Sequence, residues 1–179
     1  MSIPPPDDRA RFAQLLEEHR GILYTVANGY CRNRDDRGDL VQEILVQLWR
    51  SFPRFDGRCR FSTWMYRVAL NVAISAHRSA GRRAHEAVDL GAVGLELAAA
   101  DRVMESASDD ARLLQRLIGE LDEPDRALII LYVEGHTHQE MAEILGITAT
   151  NASTRVARLK ERLRRDVEAI QGGRPDETR

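Results

Sequence analysis

The chain has 179 residues and a formal net charge of −2, long enough for one sizeable domain or two small ones and without a global basic excess that would mark a nucleic-acid binder. Its two cysteines, Cys31 and Cys59, have no CxxC spacing and its five histidines are scattered. That leaves free thiols, or at most one disulfide, and argues against a metal role or any cofactor. No apolar run approaches a membrane span and Met1–Asp8 does not read as a signal peptide, so a cytoplasmic protein is expected.

Residues 1–9, with the run Pro4-Pro5-Pro6, read as a disordered arm. Helical periodicity follows, with Phe12, Leu15, Leu16, His19, Ile22, Leu23, Val26, Ala27 and Tyr30 on one face. The polar run Asn33–Gly38 breaks it. A second helix then places Leu40, Val41, Ile44, Leu45, Leu48 and Trp49 inward and Asp39, Gln42, Glu43, Val46 and Gln47 outward. Pro53–Arg60 is a loop rich in arginine and glycine. Ser62 is a candidate N-cap for a third helix running to Arg78, with Trp64, Met65, Val68, Ala69, Val72 and Ala73 inward. Strand-like alternation is absent throughout, so the fold class is all-α: two small helical domains joined by an acidic linker.

The opposite face of the third helix carries Arg60, Thr63, Arg67, Asn71, Ile74 and Arg78 about one turn apart. Just before and within it, Phe55, Phe61, Trp64 and Tyr66 interleave with Arg54, Arg58 and Arg60. Arginines that track phosphates and aromatics that receive unstacked bases suit single-stranded DNA, and an asparagine such as Asn71 can pair two hydrogen bonds to a base edge. Aromatics at helical spacing equally suit a core, and spacing alone leaves both readings open.

Residues 81–109 are rich in alanine, glycine and acids and read as the linker between a first domain, 10–80, and a second, 110–170. In the second domain Leu113, Leu114, Leu117, Ile118 and Leu121 form a stripe, and Glu123-Pro124-Asp125 opens a short helix that Gly135 ends. Thr137 and Glu140 then have capping-box spacing, Met141, Ile144 and Leu145 give an apolar face, and Gly146 supplies a left-handed turn. The helix after that turn has Ala152, Val156, Leu159 and Leu163 inward. Thr150, Asn151, Ser153, Thr154, Arg155, Arg158 and Lys160 are left as its polar, basic side, the layout of a helix-turn-helix whose second helix enters a major groove. By that geometry Asn151 and Arg155 should read bases and Lys160 and Arg162 should meet phosphates. A helical hairpin with a solvated basic face has the same pattern. Residues 171–179 read as a disordered tail. Basic blocks at 53–83 and 149–165, separated by an acidic stretch, suggest two nucleic-acid surfaces.

Three segments in this order, Asp39-Leu-Val-Gln-Glu-Ile-Leu-Val-Gln-Leu-Trp-Arg50, Phe55-Asp-Gly-Arg-Cys-Arg-Phe-Ser-Thr-Trp-Met-Tyr-Arg-Val-Ala-Leu-Asn71 and the C-terminal helix-turn-helix, resemble an extracytoplasmic-function (group 4) sigma factor of the sigma-70 family. The resemblance spans about residues 10–170. It implies a bacterial transcription-initiation subunit whose partners are RNA polymerase core (clamp helices and flap), promoter DNA and an anti-sigma factor. It assigns Asp39, Gln42 and Glu43 to core binding. It assigns the 56–62 loop, with Arg58, Arg60, Phe61 and Ser62, to capture of a flipped −10 base and Asn71 to a −10 contact, and Thr63, Arg67 and Arg78 of the same polar stripe are expected to join them at the −10 element. Thr150–Lys160 fall to the −35 element. The acidic linker would lie in the RNA channel of the polymerase. Departures occur at Leu70, where the family often has arginine, at Ser75 for a frequent aspartate, at Ala152 for valine and at Ser153 for lysine. They bear on promoter sequence more than on family.

The alternative is a stand-alone helix-turn-helix regulator, which accounts for 110–170 but leaves Asp39–Arg50 and the aromatic–arginine loop unexplained. An enzyme is disfavoured, since the sequence has no nucleophile–base set, phosphate loop or metal cluster.

Overall fold

The computed structural model describes residues 6–78 and 109–172. The chain divides into two compact units, Met1–Val103 and Met104–Arg179. All regular structure among the described residues is helical. The expected linker, except Asp109, lies outside the described residues, as do 1–5 of the expected arm and 173–179 of the expected tail.

In the N-terminal unit α1 spans Pro6–Glu18, α2 Gly21–Tyr30, α3 Arg34–Ser51 and α4 Phe61–Arg78, with a 3-10 turn at Phe52–Arg54. The helix thus begins inside the stretch expected as an arm, with Pro6 at its first position, where a missing N–H costs nothing. The single helix expected from Phe12 to Tyr30 is two helices. The amides of His19 and Ile22 bond to carbonyls three residues back, Leu16 and His19, at 3.2 and 3.0 Å. These tight turns and Gly21 allow a break that still buries Phe12, Leu16, Ile22, Leu23, Val26 and Ala27.

The expected break at Asn33–Gly38 shrinks to Cys31–Asn33, because Asn33 caps α3: its side chain accepts the Asp36 amide at 2.7 Å. Asp35 and Asp36 then complement the positive end of the helix, so the polar run is a start signal rather than a break. Leu40, Val41, Ile44, Leu45 and Leu48 are buried where α3 packs on α4 and α2, and Met65, Ala69, Leu70 and Ala73 of α4 are buried as well. Ser62 is not the N-cap of α4. The helix begins one residue earlier, and the Trp64 amide bonds to the Arg60 carbonyl at 3.1 Å.

In the C-terminal unit α5 spans Asp109–Ile118, α6 Glu123–Val133, α7 His138–Leu145 and α8 Ala149–Gly172. The last helix thus runs two residues into the expected tail. Ala127, Leu128, Ile129, Ile130 and Leu131 of α6 are all buried, since α6 is packed against both α7 and α8. Asp122 caps α6 by accepting the Asp125 amide at 2.9 Å. Arg126, only 4% exposed, donates to the carbonyls of Gly119 (2.7 Å) and Leu121 (3.0 Å) and so ties the α5–α6 turn to α6.

Candidate nucleic-acid and polymerase interfaces

Three polar surfaces stand on this frame. On α3, Asp39, Gln42 and Glu43 are exposed opposite the buried Leu40–Leu48 stripe. With about 100° per residue they fall on one third of the helix circumference. The face is acidic, and the buried apolar residues between its members anchor the helix.

On α4, Arg60 precedes the helix and Arg67, Asn71 and Arg78 are exposed along it. Separations of 7, 4 and 7 residues bring them into line within a span of about 40°. The loop before them is shaped by Asp56, whose carboxylate accepts the Arg58 amide at 3.1 Å across Gly57, a left-handed residue at φ 74°. The same carboxylate pairs with the Arg58 guanidinium at 3.1 Å. The Arg58 side chain is 90% exposed, so this pair orients the loop more than it stabilises it.

Two members expected on this surface are absent from it. Phe61 is 6% exposed and Thr63 is 7% exposed. Phe61 stacks on His19 (5.6 Å between ring centres) and packs edge-on against Phe55 (5.6 Å) and at a tilt against Trp64 (5.3 Å). Phe52 joins Phe12, Phe55, Phe61 and Trp64 in the same cluster. The aromatics thus resolve mainly as core. Phe55, Trp64 and Ser62 keep partial exposure, and Tyr66 is buried. The reason is the 3-10 turn at Phe52–Arg54, which folds the loop back over α4, a reversal that helical spacing does not encode.

The helix-turn-helix forms as its residues dictate. Thr137 accepts the Glu140 amide at 3.2 Å and Glu140 accepts the Thr137 amide at 2.9 Å, a full capping box. Gly146 ends α7 at φ 68°, and Thr148 caps the start of α8 by accepting the Asn151 amide at 3.1 Å. Ala152, Val156, Leu159 and Leu163 are buried, and Thr150, Asn151, Thr154 and Arg158 are exposed on the outer side. Ser153 is half-buried.

Arg155 and Lys160 both reach back onto α6. Two N–H groups of Arg155 converge on Asp125 Oδ1, the Nε contact at 2.9 Å. Lys160 Nζ lies 4.9 Å from the centre of the Tyr132 ring and bonds its hydroxyl at 2.9 Å. Asp125 and Tyr132 are partners of these two cations that sequence reasoning missed. They sit 30 and 28 positions away from their partners, beyond any local periodicity. Further along α8, Arg164 bridges Glu161 (2.7 Å) and Glu168 (2.9 Å). The hydrogen bond from Arg164, with its charge, holds the Glu161 carboxyl below the usual range.

Among the described residues no group of three or more His, Cys, Asp or Glu could hold a metal ion, and no helix is long and apolar enough to cross a membrane.

The sigma-70 region 2 family matches residues 15–83, and the sigma-70 region 4 family matches residues 111–163. The chain is 30% identical over 164 residues to the RNA polymerase sigma factor CnrH of Cupriavidus metallidurans, covering 85% of this chain and 84% of that protein. It is 28% identical over 169 residues to the ECF RNA polymerase sigma factor SigW of Bacillus subtilis, covering 89% and 90%. Its fold resembles that of the sigma factor RpoE of Bartonella quintana, solved in complex with the anti-sigma factor NepR, with a TM-score of 0.65 at 22% identity over 92% of this chain and 99% of that one. With both domain families in order and these relatives matched over nearly their whole lengths, the chain belongs to the extracytoplasmic-function group of the sigma-70 family of RNA polymerase sigma factors.

Proposed function

We propose that the chain is an alternative sigma factor that binds RNA polymerase core and directs promoter-specific initiation, with no catalytic step of its own. The N-terminal domain, 10–80, engages the clamp helices through Asp39, Gln42 and Glu43 and opens the −10 element along Arg58, Arg60, Arg67, Asn71 and Arg78. The C-terminal domain, 110–170, engages the flap and reads the −35 element with Thr150, Asn151, Thr154 and Arg158. The observation that carries this reading is the pairing of two distinct nucleic-acid surfaces in one chain. One is the line of cations and an amide on α4, suited to tracking a strand and grasping an exposed base. The other is a capped helix-turn-helix with a polar outer face, suited to a duplex groove. A stand-alone regulator has use for the second surface only.

The factor works in the cytoplasm and is held inactive by an anti-sigma factor, as the complex of the Bartonella protein suggests. Core binding is tested by replacing Asp39 and Glu43 with arginine. Both are exposed, so the change should cost no more than about 0.5 kcal/mol of stability. The double variant should keep its helix content and lose co-purification with core polymerase. Normal co-purification would remove this face from the interface.

A further inference from the structure

We propose that Asp125 is a positioning residue that withholds Arg155 from promoter phosphate, so that α8 meets the −35 duplex with one cation fewer than it carries. The inference rests on the reading of α8 as the −35 helix. Asn151, Arg155, Arg158 and Arg162 follow one another at intervals of 4, 3 and 4 residues. That spacing sets all four within about 60° of one another around the helix. Asn151, Arg158 and Arg162 are exposed there. Arg155 stems from the same side, and two N–H groups of its guanidinium meet Asp125 Oδ1.

The acid is fixed in advance. It is the third residue of α6, its amide is held by the Asp122 cap at 2.9 Å, and Pro124 precedes it. A carboxylate in the first turn of a helix is also favoured by the partial positive charge of that end. The partners keep only 31% and 21% of their side-chain exposure, against 60% and 54% for the Arg164–Glu161 pair on the same helix. Less water at the Asp125–Arg155 pair means less screening and a stronger attraction. Asp125 therefore occupies the place a phosphate would take. An arginine neutralised in this way displaces no counterion from DNA, whereas a released one would.

The experiment uses holoenzyme assembled from the full chain and core polymerase. The probes are a promoter duplex recovered by runoff transcription and the same duplex with its −35 element scrambled, each titrated between 50 and 200 mM salt. Asp125→Asn should steepen the slope of log affinity against log salt by about 0.9 on both duplexes, which makes the loss of affinity across that range about 3.5-fold larger. Arg155→Gln should leave the parental slope unchanged, and Asp125→Asn with Arg155→Gln should return to it. An unchanged slope in Asp125→Asn overturns the proposal. So does a shallower slope in Arg155→Gln, which decides the matter by itself if Asp125→Asn does not fold. A parental holoenzyme that binds both duplexes equally refutes instead the −35 reading of α8. Promoter preference with the same slope in every variant refutes only the role of Asp125.

Discussion

Phe61 separates a core role from a DNA-stacking role, and truncating it should give a large, readable effect. The ring is 6% exposed and touches His19, Phe55 and Trp64 at centroid distances of 5.3–5.6 Å. Deleting a buried phenylalanine ring costs about 3–5 kcal/mol, through lost transfer energy and the cavity left behind. In a domain of this size each kcal/mol lowers the melting temperature by about 4–8 °C, so Phe61→Ala should lower it by at least about 12 °C. Phe61→Leu keeps most of the apolar volume and should cost about 1–1.5 kcal/mol, or roughly 4–12 °C. Both tryptophans of the chain, Trp49 and Trp64, lie in the N-terminal unit, so fluorescence melting of the full chain follows this unit selectively. Below its melting temperature Phe61→Leu should still open the −10 element, as read by permanganate reactivity. The reasoning is refuted if Phe61→Ala melts within about 2 °C of the parent yet no longer opens the −10 element, because the ring would then act on DNA rather than on its neighbours.

Asn71 is exposed on α4, so Asn71→Ala should leave the melting temperature nearly unchanged and lower permanganate reactivity at the −10 element; an unchanged footprint removes it from the site. Gly146 holds φ 68°, and an added Cβ would meet nothing within 4 Å, so Gly146→Ala is opposed by backbone strain alone. It should cost about 1–2 kcal/mol, measured by denaturant unfolding of the full chain, and a neutral result would show that the α7–α8 turn tolerates another conformation.

Local order was legible wherever one residue type has one physical use. Thr137 with Glu140 and Gly146 marked both ends of α7, and the apolar positions Leu40, Val41, Ile44, Leu45 and Leu48 of α3 and Ala152, Val156, Leu159 and Leu163 of α8 bury as expected. On α4 only Met65, Ala69 and Ala73 of the six expected inward residues bury; Trp64, Val68 and Val72 stay half-buried, as does Trp49 of α3, while Tyr66 and Leu70 bury. Boundaries were harder where the same residues serve two purposes. Asn33–Gly38 looked like a break because a capped first turn and a loop share the same polar composition. The exposure of the candidate residues was legible as spacing on α3, α4 and α8, and illegible where a side chain meets a partner from another helix. Phe61 enters an aromatic cluster with Phe52 and His19, Arg155 meets Asp125, and Lys160 meets Tyr132. A helical period records which way a side chain leaves its own helix. It says nothing of what the neighbouring helix offers.

The most direct test is runoff transcription on a genomic fragment library with core polymerase, with and without the purified chain. The account predicts start sites that depend on the chain, preceded by two shared sequence elements at a fixed separation, one for the α4 surface and one for α8. Transcription that does not need the chain, or dependent start sites that share only one element, would contradict it.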